Sequence, residues 1–257
     1  LLLGGDRARP LPRLRLPRPG GARVIDTHCH LLPGLDDGPK TREDALDLAS
    51  ALLADGIDRV LCTPHYSGQF PTSHAEASDR LDELRPDLER LGLGATLAAE
   101  VSPGYAVSAP LEELRARAIG GRWLLVEVLR DTPSAFFDSV FARLEEVSLE
   151  PLFGHPERCR IVQRSTRVAD RILRDGGLLQ VVAPSLIGRF GHDAAEAGWR
   201  LVDTGRAALV ASDAHGTRRR SCHLGDARRL VAGRLGEAAA AELTEHNPAR
   251  VLAGERP

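Results

Sequence analysis

A chain of 257 residues is long enough to bury one substantial core, and 42% apolar with 27% charged residues is ordinary for a globular protein. A formal net charge of −2 excludes a global field favouring nucleic acid or membrane, and 4% aromatics leaves little for a base-stacking surface. Four scattered cysteines, Cys29, Cys62, Cys159 and Cys222, with no C-x-x-C pair, argue against a disulfide scaffold.

In chain order, residues 1–22 are rich in Arg, Pro and Leu, without the apolar run and small-residue cleavage site of a signal peptide. Their prolines disfavour a helix, so a flexible extension is expected there, followed by one domain over 23–257. No run approaches the ~20 apolar residues needed to span a bilayer, so a cytoplasmic protein without membrane insertion is expected. Seven short apolar runs then follow: Val24-Ile25, Ile57 to Cys62, Ala95 to Val101, Trp123 to Val128, Pro151 to Phe153, Leu178 to Ala183 and Ala207 to Ala211. Helical spacing separates them. The first helix sets Ala45, Leu46, Leu48, Ala49, Leu52 and Leu53 on one side, with a capping box at Thr41 and Asp44 and a stop at Gly56. The second carries Leu81, Leu84, Leu88 and Leu91, and later helices are expected near 134–147, 166–175, 193–204, 224–235 and 237–246. Strands alternating with helices imply an α/β fold on a parallel sheet, either a closed barrel or a doubly wound sheet. The absence of G-x-G-x-x-G after any strand argues against a dinucleotide fold.

Side chains that bind metals collect at the ends of these runs. His28 and His30 follow the first, with Asp36 and Asp37 in the next loop, and His65 follows the second in Thr63-Pro64-His65. Glu100 ends the third and Glu127 lies near the end of the fourth. His155 follows the fifth in Gly154-His155-Pro156-Glu157-Arg158, and Asp213 and His215 follow the seventh. In a barrel these ends converge on one face. An H-x-H pair on an extended segment turns both rings to one side, because side chains alternate with period two. Imidazole with carboxylate suits Zn, Mn or Fe. A single His at a strand end is more often structural, and that reading is preferred for His74, His192, His223 and His246; for the whole set coincidence is implausible.

Two cysteines invite other readings. Cys222 to Arg228 has the C-x5-R spacing of cysteine-based tyrosine phosphatases, but Asp226 would sit inside the phosphate cradle and repel it. Cys29, between two ligands of an alternating strand, should point into the wall.

The chain resembles the PHP (polymerase and histidinol phosphatase) superfamily, and within it the manganese-dependent bacterial protein-tyrosine phosphatases of capsule and exopolysaccharide operons. The matching segments are Ile25 to Gly38 (IDTHCHLLPGLDDG), Cys62-Thr-Pro-His65, Glu100, Trp123 to Glu127, Gly154-His-Pro-Glu-Arg158, Ser185-Leu-Ile-Gly-Arg-Phe-Gly191, Ala211-Ser-Asp-Ala-His215 and Asn247-Pro248. The resemblance implies a distorted (β/α)7 TIM-like barrel and up to three divalent ions, manganese foremost, with iron or zinc as alternatives. It implies His28, His30, Asp37, His65, Glu100, Glu127, His155, Asp213 and His215 as ligands, and Arg158 and Arg220 as holders of phosphate, with Arg218 and Arg219 as neighbouring alternatives to Arg220. The implied activity is hydrolysis of phosphotyrosine on a bacterial tyrosine kinase that regulates polysaccharide synthesis. A small-molecule PHP phosphatase, acting for example on histidinol phosphate, a nuclease-like activity and a non-catalytic metal-binding module are the alternatives; the net charge and scarce aromatics count against the nuclease. The chain departs from the family pattern at Val182-Ala183-Pro184, where the family usually has Asn and Gly, and at Thr217 to Cys222, where it usually has prolines.

Overall fold

The structure is a computed structural model that describes residues 24–257. The extension expected over 1–22 lies outside the described residues. The strands are β1 (Val24–Cys29), β2 (Ile57–Cys62), β3 (His65–Tyr66), β4 (Gly94–Leu97), β5 (Glu100–Val101), β6 (Trp123–Glu127), β7 (Glu150–Gly154), β8 (Leu178–Val182) and β9 (Leu209–Ala211). All named pairings are parallel, as the alternation with helices requires.

The second expected run is β2 itself, with a short further strand beyond it, and the third expected run is interrupted. Thr63-Pro64 separates β2 from β3, and Ala98-Ala99 separates β4 from β5. Pro64 has no N–H to give the ladder. The two sides stay in line, because Ala98 N donates to Cys62 O at 2.9 Å and Glu100 N to Pro64 O at 3.1 Å. The result is a distorted form of the expected barrel, with its strands divided between two sheets, β1-β2-β4 and β3-β5-β6-β7-β8-β9. The end of β9 meets β1 through separate hydrogen bonds: Asp213 N to His28 O at 2.8 Å and His30 N to Ala214 O at 2.9 Å. Asp213 has φ 53°, a left-handed conformation that takes the chain out of the strand, and β1 meets the end of β9 through one parallel bridge, Cys29 to Ala214, without an extended ladder. Asp26, fully buried, reinforces this seam. Its Oδ1 accepts from Ser212 N at 2.9 Å, and its Oδ2 from the Ser212 hydroxyl.

Helix Arg42–Ala54 begins with the expected capping box, in which the Thr41 side chain accepts from Asp44 N and Asp44 accepts from Thr41 N. It buries Ala45, Leu48, Ala49 and Leu52; each buried leucine contributes roughly 2 kcal/mol. Helices Ser134–Glu145, Arg167–Arg174, His192–Asp203 and Leu224–Leu235 fall close to expectation. The last expected helix instead runs Glu237–Ala241, a π turn Glu242–His246, and Asn247–Leu252. Among the described residues, no helix is long and apolar enough to cross a membrane.

One core detail positions the site. Leu61, Ala98, Ile119, Trp123, Leu125, Leu152, Leu178, Leu209 and Val251 form a compact buried cluster. Several of these residues share a strand face with a polar residue nearer the carboxyl end, since every second side chain points the same way. Leu125 precedes Glu127, and Leu178 precedes Gln180. The apolar cluster is therefore a floor beneath the polar strand ends.

Candidate metal centre

β1 carries His28 within the strand, and His30 follows it directly; both are fully buried. Their Nε2 atoms lie 3.3 Å apart, as the shared face of H-x-H requires. Each ring is held from behind. His28 Nδ1 is 2.9 Å from Gln180 Oε1, and Gln180 donates its own Nε2–H to Thr27 Oγ1 at 2.8 Å, which fixes the amide with its oxygen towards the ring. His30 Nδ1 is 2.6 Å from Asp36 Oδ2. Acceptors at Nδ1 place the proton there and turn the Nε2 lone pairs inward.

Glu100, at the start of β5, lies in the middle. Its Oε1 accepts from His155 Nε2 at 2.8 Å. Its Oε2 is 3.0 Å from His65 Nδ1 and 3.4 Å from Nε2 of both His28 and His30, yet it has no hydrogen-bond partner. Asp213 Oδ1 is 3.5 Å from His28 Nε2 and 3.6 Å from His30 Nε2. Asp37 Oδ1 is 3.1 Å from His215 Nε2 and 3.5 Å from His65 Nε2. Three sets of donor atoms fall within 4.8 Å of one another: His30, Asp37, His65 and His215; His28, His30 and Glu100; and His65, Glu100 and Glu127. His30, His65 and Glu100 each belong to two sets. The structure thus brings all nine expected residues to one place, with His155 and Asp213 outside these three sets but against their members.

The backbone here is strained. Of four non-glycine residues with positive φ among the described residues, three belong to the site: His155 at 39°, Asp213 at 53° and Arg220 at 50°. Such conformations persist where surrounding structure enforces them, and they cluster at functional sites.

Charge is distributed to match. Burial opposes the charged form of His30, but Asp36 and Glu100 outweigh it and push His30 up to about 10. Burial, His30 and Arg220 hold His215 down to about 4 against the pull of Asp37 and Asp213. The His215 hydrogen bond leads the influences that keep Asp37 well below the carboxylate range. Glu100 is held low against its burial by His28, His155 and His30, whereas burial and the charge of Glu100 push Glu127 up. Converging imidazoles and carboxylates, a buried carboxylate oxygen without a partner, and rings locked from behind fit divalent cations.

The two expected arginines stand at the edge of this centre. Arg220 Nη2 donates to both oxygens of Asp213 at 2.9 Å each, and its Nη1 to Asp37 Oδ2 at 3.1 Å. Arg158 Nη1 donates to Asp213 Oδ2 at 3.5 Å. Arg218 and Arg219 are exposed on the same loop. Cys29 points away as expected, with its Sγ 3.6 Å from Ala214 O in the buried core. The C-x5-R segment does not form a phosphate cradle: Cys222 Sγ lies 3.2 Å from Asp55 Oδ2, burial, Asp26 and Asp55 push its thiol up, and Arg228 pairs with Glu237 and Glu245.

Sequence reasoning missed the supporting residues. Gln180 lies in an apolar run and meets a histidine 152 positions away, with no local signal. Asp36 was visible as half of a doublet, but only its contact with His30 separates its task from that of Asp37. Glu157 is fully buried; its Oε1 accepts from Val182 N at 3.1 Å and from the Ser185 hydroxyl at 2.7 Å, tying the turn after β7 to the end of β8.

The model of the family described as capsular polysaccharide synthesis, CpsB/CapC, matches residues 24–253. Tyrosine-protein phosphatase YwqE of Bacillus subtilis (strain 168) is 27% identical over 227 residues, covering 87% of this chain and 89% of that protein. Tyrosine-protein phosphatase CpsB of Streptococcus pneumoniae is 22% identical over 239 residues, 89% and 98% of the two chains. Among solved structures, one from the work on YwqE from Bacillus subtilis and CpsB from Streptococcus pneumoniae, described as unique metal-dependent tyrosine phosphatases, superposes with a TM-score of 0.81. Its identity is 25%, over 90% of this chain and 95% of that chain. Adenine deaminase from Arthrobacter aurescens shares the fold at a TM-score of 0.52 and 13% identity, over 91% and 98% of the two chains.

Proposed function

The chain belongs to the capsular polysaccharide synthesis CpsB/CapC family, and on that premise we propose that it is a metal-dependent phosphatase hydrolysing phosphotyrosine on proteins. One observation carries the reading: nine imidazole and carboxylate side chains from successive strand ends converge, with two guanidiniums at their edge.

His28, His30, Asp37, His65, Glu100, Glu127, His155, Asp213 and His215 would hold up to three divalent ions, with manganese as the proposed metal. Bound divalent ions acidify water and neutralise charge on a phosphoryl group. The chain's own residues do the rest. Gln180 and Asp36 fix the tautomers of His28 and His30, so both present Nε2 to the centre. Arg220 and Arg158 offer planar forks that match phosphate oxygens and oppose the charge gathering on them in the transition state. No thiol takes part, in keeping with the raised Cys222. The substrate we propose is the phosphotyrosine of a bacterial tyrosine kinase controlling polysaccharide synthesis, met in the cytoplasm by the domain over 23–257.

The test compares kcat/KM for a phosphotyrosine peptide and for histidinol phosphate, with manganese and with chelator. We expect hydrolysis of the peptide to be much the faster and to vanish in chelator. Faster turnover of histidinol phosphate would move the substrate to a small molecule; turnover in chelator would remove the metal from the account.

A further inference from the structure

We propose that Phe70 and Phe190 flank the centre as aromatic walls that select an aryl phosphate over an alkyl phosphate, an inference that rests on the phosphatase reading above. The chain has only six Phe, two Tyr and two Trp. Most of them pack with one another or beneath arginines: Phe137 meets Phe153 edge-on with Phe136 and Phe141 alongside, Tyr66 meets Tyr105 edge-on, and arginines cover Trp123 and Trp199.

Phe70 and Phe190 are placed differently. Both are half-buried on loops, and each touches a residue of the centre. The Phe70 ring stacks on His65, with centroids 5.7 Å apart and planes 13° from parallel. The Arg158 guanidinium lies 4.5 Å from the Phe190 centroid while its Nη1 reaches Asp213. One ring therefore adjoins His65, a member of the donor set with Glu100 and Glu127, and the other adjoins Arg158, proposed above to hold phosphate.

Fixed turns present both rings. Phe70 N donates to Ser67 Oγ, and Ser67 N to Phe70 O, both at 3.1 Å. Arg117, only 2% exposed, donates to Thr72 O at 2.9 Å, and the Thr72 hydroxyl reaches Leu35 O, which ties this loop to the one after His30. On the other side, Gly188 at φ 80° and Gly191 at φ 89° bracket Phe190, and Arg189 N donates to Pro184 O at 2.8 Å. A half-exposed ring on a pinned turn is preorganised to pack against a ligand ring. An alkyl phosphate would meet the same arginines and gain nothing from the rings. The cation–π contact adds that Phe190 holds the Arg158 plane in place.

Phenylphosphonate and methylphosphonate share a phosphoryl head and differ in the ring. Calorimetric titration of each into the manganese-loaded protein reads the discrimination without turnover. We expect phenylphosphonate to bind more tightly to the unaltered protein. Phe70→Leu and Phe190→Leu should each lower the ratio of affinities about three- to tenfold, with manganese content unchanged, and Phe70→Tyr and Phe190→Tyr should keep it. A ratio unchanged in both leucine variants, or binding of neither phosphonate, overturns the proposal. Failure of the phosphatase reading is a separate result: the ratio drops as expected, but the same preparation does not hydrolyse a phosphotyrosine peptide.

Discussion

Arg220 grips both oxygens of the buried Asp213 carboxylate at 2.9 Å and reaches on to Asp37, so one guanidinium neutralises two carboxylates proposed as metal ligands. In the structure this arginine is a counter-charge to both carboxylates; ions held by Asp213 and Asp37 would take over that role and leave the fork for phosphate. Arg220→Ala should therefore destabilise the metal-free protein more than the manganese-loaded one. The expected loss is about 2 kcal/mol, kept modest because Arg220 is partly solvated. Thermal melts with chelator and with manganese measure the difference; equal losses in both would contradict it. Arg220→Lys keeps the charge but loses the fork, and should lower kcat/KM about 10²-fold.

Gln180 and Asp36 orient the first two histidines from behind. Gln180→Leu and Asp36→Asn should each weaken manganese binding about 10- to 100-fold, while helical content by circular dichroism stays the same. Metal titration followed by calorimetry measures this. Unchanged affinity in both variants would mean that the rings do not need these partners.

The raised His30 gives a proton-linked signature. With its charged form favoured up to about 10, His30 carries a proton at pH 7 that an ion at Nε2 must expel. Manganese affinity should thus rise with pH from 7 towards 10, and binding at pH 7 should release protons. His215, held down to about 4, is already neutral and releases none. Titrations in buffers of different ionisation enthalpy count the protons; Asp36→Asn should release fewer.

The buried Glu157 ties the turn that carries Arg158 to the end of β8. Glu157→Ala strands Val182 N–H and the Ser185 hydroxyl, and should cost about 2–4 kcal/mol of stability together with much of the activity. Glu157→Gln retains an acceptor and should recover most of both. Denaturant melts and kcat/KM on the two variants decide it, and equal damage by both would show that the charge matters.

How much of this was legible follows from how local each signal is. H-x-H declares itself because period two forces His28 and His30 onto one face. Glu127 could be placed because its strand reads as an unbroken apolar run. The split of β2 from β3 was written in Pro64, but the unbroken run from Ala95 to Val101 hid the gap between β4 and β5. The barrel-like fold was legible in the strand and helix alternation, but nothing in Ser212-Asp213-Ala214 announces the left-handed turn at Asp213 that leaves β9 and β1 joined only at their ends. Gln180 and Glu157 were out of reach for another reason: the contacts that give them a task span long stretches of sequence, 152 positions for Gln180 and His28.

The proposed catalysis depends on metal held by the strand-end cluster. Its most direct measurement is manganese content, by plasma emission, alongside phosphotyrosine-peptide turnover, in the unaltered protein and in His28→Ala/His30→Ala. We expect the unaltered protein to lose turnover in chelator and regain it with manganese. The double variant, folded by circular dichroism, should bind less metal and turn over substrate at least about 10³-fold more slowly. Turnover that survives the double substitution, or that chelator leaves untouched, would contradict the metal mechanism.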